Sequence, residues 1–63
     1  MRIEIRPTET VNGKGFDVFI MNERNEGWCP SQYWNLGLEW AVNQAKVLAA
    51  FFSCQVWKDG KKV

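Results

Sequence analysis

The sequence predicts an α+β fold: a small, antiparallel-rich sheet with one helix packed on one of its faces. Short segments that alternate apolar and polar residues predict strands, and one long segment with helical periodicity, residues 35–52, predicts the helix. The predicted order of elements is β-β-(β)-α-β, in which the third strand is short or irregular. With 63 residues, the chain is expected to form a single domain spanning residues 1–63.

The first predicted strand covers residues 2–11. Ile3 and Ile5 alternate there with charged residues, which is the pattern of a strand with one buried face. Pro7 has no backbone N–H to donate to a neighbouring strand. We therefore expect this strand to lie at the edge of the sheet, or to direct the nitrogen of Pro7 away from its neighbours.

A hairpin is predicted to join the first two strands. Asn12-Gly13 suits a type I′ turn, because both of its central residues need positive φ. A two-residue loop at this point pairs Val11 with Lys14 and Ile5 with Ile20, and it puts Ile5, Val18 and Ile20 together on one face. In this register the other face pairs Arg6 with Phe19 and Glu4 with Met21.

The helix is predicted from residue spacing, with Asn35 as a side-chain N-cap and Gly37 as a weak point in the first turn. Three- and four-residue spacings line up a core-facing stripe. Its members are Leu38, Ala41, Val42, Ala45, Leu48, Ala49 and Phe52. The water-facing stripe consists of Glu39, Asn43, Lys46, Ala50 and Ser53.

The remaining segments predict shorter elements. Residues 28–34 are rich in aromatics but interrupted by Pro30, so we expect a short or irregular strand. Cys54 and Val56 alternate with polar or outward residues, which predicts a closing strand with Trp57 on its outer side. Asp59-Gly60 predicts a turn, after which residues 61–63 could fold back as a stub.

Composition makes catalysis an unexpected function. The chain has no His, which removes the usual general base, and its two cysteines alone cannot complete a four-ligand zinc site. Gly13-Lys14-Gly15 is too short for a phosphate-binding loop and joins two strands. We expect no cofactor and no bound metal. With no signal-peptide pattern and no apolar run near 18 residues, we expect a soluble cytoplasmic protein.

One helix can cover only one face of the sheet, so the other face is the predicted binding surface. We call it the open sheet face. Aromatic side chains and Met with a polar, Arg-containing rim are typical of protein–protein interfaces, so a protein partner is predicted. The open sheet face consists of Glu4, Arg6, Asp17, Phe19, Met21 and Trp57.

A second candidate surface flanks the core-facing stripe of the helix. Trp40, Val47 and Phe51, together with Leu36, widen the apolar side of the helix. One interpretation is that they pack beneath loops or the edge of the sheet. The other is that they contact a second molecule, which includes a second copy of this chain in a homodimer.

Single-stranded nucleic acid is the alternative partner for the open sheet face. In this hypothesis the aromatic rings stack on bases and basic side chains hold phosphates. The net charge of +1 and the acidic residues on the same face weigh against it. The basic residues in this hypothesis are Arg2, Arg6, Lys58, Lys61 and Lys62.

The predicted elements follow the order hairpin, helix and closing strand. The helix contains Ala41, Ala45 and Ala49, and the closing strand ends in Lys58-Asp59-Gly60-Lys61. This architecture resembles that of several very small bacterial and phage domains. Some anti-CRISPR inhibitors are among these domains. The resemblance is one of architecture and covers most of the chain. It implies a stoichiometric inhibitor in the host cytoplasm that binds a host defence protein, such as a CRISPR effector, at its surface.

Overall fold

The computed structural model describes residues 1–11 and 13–63, and it has the predicted α+β architecture: a mostly antiparallel, five-stranded sheet with one helix packed on one face. In chain order the elements are β1 (Arg2–Thr10), β2 (Gly13–Met21), β3 (Gly27–Trp28), a 3₁₀ helix (Ser31–Tyr33), α1 (Leu38–Phe52), β4 (Val56–Lys58) and β5 (Lys61–Lys62). The strands follow the order β3-β2-β1-β4-β5 across the sheet, and only the β1–β4 pair is parallel among the named strand pairs.

The β1–β2 hairpin forms, but the predicted register is wrong by two residues. Thr10 pairs with Gly13, so Gly13 belongs to β2 and does not lie in the loop. The predicted type I′ turn includes Asn12, which lies outside the described residues. The faces are nevertheless correct, because a shift of two residues preserves the alternation of side chains.

Cross-strand pairs explain why the observed register is preferred. It pairs Ile3 with Ile20 and Ile5 with Val18 on the face toward the helix. On the other face, Arg6 is opposite Asp17, where the predicted register put a charge opposite an aromatic ring. Apolar and opposite-charge pairs each stabilise a sheet by a few tenths to about 1 kcal/mol. A further opposite-charge pair, Glu9 with Lys14, lies near the end of the hairpin.

Pro7 does not place β1 at the edge of the sheet, since β1 is the central strand. The N–H of Ile3 donates to the carbonyl of Gln55, on the β4 side. By alternation, the nitrogen of Pro7 faces this same side. The β4 pairing ends at Ile5, so no strand there needs a donor from Pro7. The second of our two expectations for Pro7 is therefore the correct one.

The helix begins later than predicted, at Leu38, with Gly37 in the N-cap position and no side-chain cap. Asn35 is not the N-cap. It adopts positive φ, and its backbone N–H donates to the carboxylate of Asp17 at 2.8 Å, which ties this segment to the edge of β2. Leu38, which the spacing assigned to the core, lies at the start of α1, is 47% exposed and does not join the core, so that assignment is wrong.

The core lies between α1 and the sheet. Ala41, Ala45 and Ala49 are buried, and their small side chains let the helix backbone approach the sheet closely. Val42, Leu48 and Phe52 pack against this core as partly buried residues, as the helical spacing predicts. The sheet contributes Ile3, Ile5, Val18, Ile20 and Val56.

The helix ends at Phe52 and is followed by a left-handed residue, Ser53, at φ 54° and ψ 47°. The N–H of Cys54 donates to the carbonyl of Ala49, which completes the end of the helix. The chain then enters β4, where Val56 is buried, and β5 folds back against β4 as the predicted stub.

Candidate binding surfaces

The open sheet face is formed by neighbouring strands that bring Phe19, Glu4 and Trp57 into one row. Glu4 of β1 pairs with Phe19 of β2 on one side and with Trp57 of β4 on the other. Lys62 of β5 pairs with Trp57 and extends the row. Both aromatic side chains are half-buried, so the central carboxylate is flanked by two partly exposed rings.

Two arginines on the same strand hold the carboxylate of Glu4. The Nε of Arg2 donates to Oε2 at 2.6 Å, and the Nη2 of Arg6 donates to Oε1 at 3.0 Å. Burial raises the pKa of Glu4, but the hydrogen bonds from both arginines outweigh it, so the pKa lies below its ordinary value. The row therefore has a negative charge at its centre at neutral pH.

The guanidinium of Arg6 also lies over the ring of Phe19, 5.0 Å from its centroid. This cation–π contact fixes both side chains in place at the rim of the face. Arg2 is anchored in the same way, because its Nη2 donates to the side chain of Asn25 at 2.8 Å. The polar rim is thus largely preorganised by contacts within the chain.

Met21 differs from the other predicted residues of the open sheet face, because it is only 3% exposed. It pairs with Gly27 of β3, and its sulfur lies where a β-carbon on residue 27 would stand. Because glycine has no side chain at position 27, the side chain of Met21 can pack there against the sheet. Asp17 remains half-exposed on the face, with one oxygen accepting the N–H of Asn35.

The five basic residues of the nucleic-acid hypothesis do not share one face. Lys58 pairs with Ile5 and Lys61 pairs with Lys58, which places both on the side of the sheet toward the helix. The ammonium of Lys58 lies 5.5 Å from the centroid of the Phe16 ring and also forms an ion pair with Asp59. The remaining three, Arg2, Arg6 and Lys62, do lie on the open sheet face.

A second surface, which we call the helix groove, lies on the opposite side of the sheet. It is an apolar depression of about 430 Å³ between the C-terminal half of α1 and the segment around the 3₁₀ helix. Ile20 lies in its floor, Trp28 and Tyr33 form one wall, and Val47 and Phe51 form the other. None of the described residues that line the groove carries a charge.

The predicted helix-flank residues are among the most exposed apolar side chains of the described chain. Trp40, Val47 and Phe51 are 56%, 63% and 79% exposed, so no loop covers them. The aromatic wall at Trp28 was not predicted as part of a site. The density of aromatics in residues 28–34 was the available signal, but it did not reveal which element this segment would face.

The two cysteines are not joined in a disulfide. Cys29 and Cys54 are free thiols and half-buried. Burial, together with the charge of Asp17, raises the pKa of the Cys29 thiol, which keeps it protonated at neutral pH. Within residues 1–11 and 13–63, no three Cys, Asp or Glu residues gather closely enough to hold a metal ion.

Comparison with protein-family models, with curated proteins and with solved structures returned no match. No helix in the described part of the chain has both the length and the apolar character needed to cross a membrane.

Proposed function

We propose that this protein is a non-catalytic protein-binding module that docks on its partner through the open sheet face. The observation that carries the proposal is the row in which Phe19 and Trp57 flank the carboxylate of Glu4, beside two fixed arginines. Trp and Arg are the residue types that most often dominate the energy of protein interfaces. Because contacts within the chain already hold the arginines, ordering them costs little on binding.

The charges of the face favour a partner surface with an apolar centre and flanking carboxylates. Glu4 is already satisfied by its two arginines, and Asp17 accepts a backbone N–H. The Nε and Nη2 of Arg6 already donate to Glu4, so the donors left for a partner are the remaining N–H groups of the Arg6 guanidinium, whose side chain is 48% exposed, and the ammonium of Lys62. These groups would pair with acidic side chains around the aromatic contact.

Nucleic acid is the less favoured partner for this face. The carboxylate of Glu4, which lies between the two rings, already accepts from Arg2 and Arg6, so these donors are not available to a phosphate at that position. Phosphate contacts dominate the affinity of nucleic-acid binding, and only three cations are available against two carboxylates on this face.

The most specific form of the proposal is a stoichiometric inhibitor, of the kind carried by phages, that blocks a host defence protein. Its support is the architectural resemblance of hairpin, alanine-lined helix and closing strand. An inhibitor of this kind needs only a binding surface, which agrees with a face that offers rings and fixed charges.

The test is a pull-down from nuclease-treated bacterial lysate with the wild type and two pairs of matched variants as baits. Trp57→Ala and Arg6→Glu change the open sheet face. Trp34→Ala and Arg24→Glu make the same changes at exposed positions outside it. We expect one stoichiometric protein that the first pair loses and the second pair retains, with all baits folded by circular dichroism.

Two results would contradict the proposal. One is equal retention of the partner by both pairs of variants. The other is recovery of RNA or DNA from untreated lysate with an affinity that falls steeply as salt rises, which would favour the nucleic-acid alternative.

A further inference from the structure

The helix groove continues into a stripe of exposed side chains along α1. Trp40, Gln44, Val47 and Phe51 follow one another at four-, three- and four-residue spacings, so they lie on one side of the helix. Three of the four are apolar and more than half exposed. The amide of Gln44 makes no hydrogen bond within the described part of the chain.

The stripe and the groove occupy different ends of the same side of the molecule. The groove opens beside Val47 and Phe51, near the C-terminal end of α1. Trp40 stands near the other end, about 13 Å away at 1.5 Å per residue. The surface therefore has a bulky projection at one end and a hollow at the other, with Gln44 between them.

We propose that a second copy of this chain occupies the helix groove, in a homodimer with a two-fold axis beside Gln44. A two-fold axis at that position makes the two α1 helices antiparallel. It brings Trp40 of each copy over the helix groove of the other copy. The same contact therefore forms twice, and both grooves are filled. At the axis the two Gln44 amides meet, and each offers both a donor and an acceptor to the other.

The exposed apolar area is of the size that such a dimer needs. Large aromatic side chains contribute about 150–250 Å² each, so the exposed parts of Trp28, Trp40 and Phe51, with Val47, amount to roughly 450 Å². This is about a tenth of the 4466 Å² surface of the chain, the share that a specific interface usually takes from a small protein. Two copies would bury roughly 900 Å² from these side chains alone, and the polar rim would carry the total past about 1,000 Å².

The chemistry of the groove also favours a second copy over a charged partner. The described lining residues carry no charge, so a peptide rich in acidic or basic groups would leave its charges unpaired there. The stripe of a second copy presents two aromatics, one Val and one Gln, which leave no charge in the interface. Lys46 and Glu39 lie on the opposite, water-facing side of α1.

This arrangement goes beyond the proposed function and is compatible with it. The dimer covers the helix side of each copy, and the two open sheet faces then point outward on opposite sides. Each dimer would therefore present two identical partner-binding surfaces, and the pull-down variants Trp57→Ala and Arg6→Glu lie outside the dimer contact.

The first experiment is sedimentation equilibrium of the full chain over a range of concentrations. We expect the wild type to approach twice the monomer mass of 7.3 kDa. Val47→Glu places two like charges close to the axis and should shift the species to the monomer, as should Trp40→Ala. The matched control, Lys46→Glu on the water-facing side, should leave the mass of the dimer unchanged, and circular dichroism checks that every variant is folded.

A cross-linking measurement tests the position of the axis. Gln44→Cys should be joined between copies by a short bifunctional maleimide several-fold more efficiently than Lys46→Cys or the wild type with its two native cysteines. A wild type that remains at 7.3 kDa at every concentration would overturn the proposal. A dimer that survives both Val47→Glu and Trp40→Ala, or cross-linking no greater at residue 44 than at residue 46, would overturn it as well. Retained partner binding by a monomeric Val47→Glu would show that the open sheet face acts independently.

Discussion

Val18→Ala tests whether the layer between α1 and the sheet supplies the stability of this protein. Val18 is 0% exposed, lies opposite Ile5 in the hairpin and belongs to the core cluster. The same chain offers a matched control, because Val11 is fully exposed near the end of the hairpin. The two variants remove the same atoms from opposite environments.

The expected loss of stability follows from the buried atoms. The removal of two methyl groups from a buried site forfeits about 1.6 kcal/mol of transfer free energy. The void left behind adds about 1 kcal/mol, at about 24 cal/mol for each Å³ of unfilled space. We therefore expect Val18→Ala to lower the free energy of unfolding by about 2–3 kcal/mol. A domain of this length is typically stable by only about 3–9 kcal/mol, so the effect is large.

The assay is urea denaturation followed by tryptophan fluorescence, at one protein concentration for all variants. Val18→Ala should lower the midpoint strongly with an unchanged slope, and the thermal midpoint should fall by about 10–20 °C. Val11→Ala should stay within about 0.5 kcal/mol of the wild type. If Val18→Ala proved as mild as Val11→Ala, the assignment of Val18 to the core would be refuted.

Three further changes test the helix packing, the helix end and the open sheet face. Ala45→Leu adds bulk where α1 meets the sheet, so it should lower the free energy of unfolding in urea by about 1–3 kcal/mol. Ala50→Leu, on the exposed side of α1, should leave that free energy nearly unchanged. Equal effects of the two changes would contradict the packing of α1 on the sheet. Ser53 has a left-handed backbone conformation, which costs a non-glycine residue about 1–2 kcal/mol. Ser53→Gly removes this cost, so thermal unfolding should show a gain in stability of up to about 1 kcal/mol. A loss of stability would mean that contacts of the Ser53 side chain outweigh the backbone cost. Because the pKa of Glu4 is lower in the folded protein than in the unfolded chain, its ionised form stabilises the fold above the unfolded pKa, and this contribution disappears as pH falls through the folded pKa. The wild type should therefore be more stable than Glu4→Gln at neutral pH, and this difference should shrink as the pH falls below about 4.5. A difference that does not change with pH would show that the arginine contacts do not stabilise the charged carboxylate.

Much of the fold could be predicted because it depends on local periodicity. Alternation with a period of two assigned Ile3 and Ile5 to the buried face and Phe19 and Trp57 to the other, and the structure bears out both assignments. These face assignments are correct although the predicted hairpin register is wrong by two residues, because an even shift leaves every side chain on its original face.

Other features depend on contacts between residues distant in the chain. Asn35 carries the chemistry of an N-cap, yet the carboxylate of Asp17, 18 residues away, binds its backbone N–H and the helix starts later. Met21 has the alternation of an open-face residue, yet the bare backbone of Gly27 lets it become buried. Local pattern could not reveal either partner.

The sequence by itself determined the class of fold, the single helix and the sides of the strands, because these follow from the spacing of apolar residues along the chain. Only the tertiary structure decided the parallel pairing of β4 with β1, which brings Trp57 beside Glu4, and the docking of Trp28 across from Phe51, which creates the helix groove. Both arrangements bring together segments at least 20 residues apart. Their physical basis is the joint packing of sheet and helix, which residue spacing within one segment does not contain.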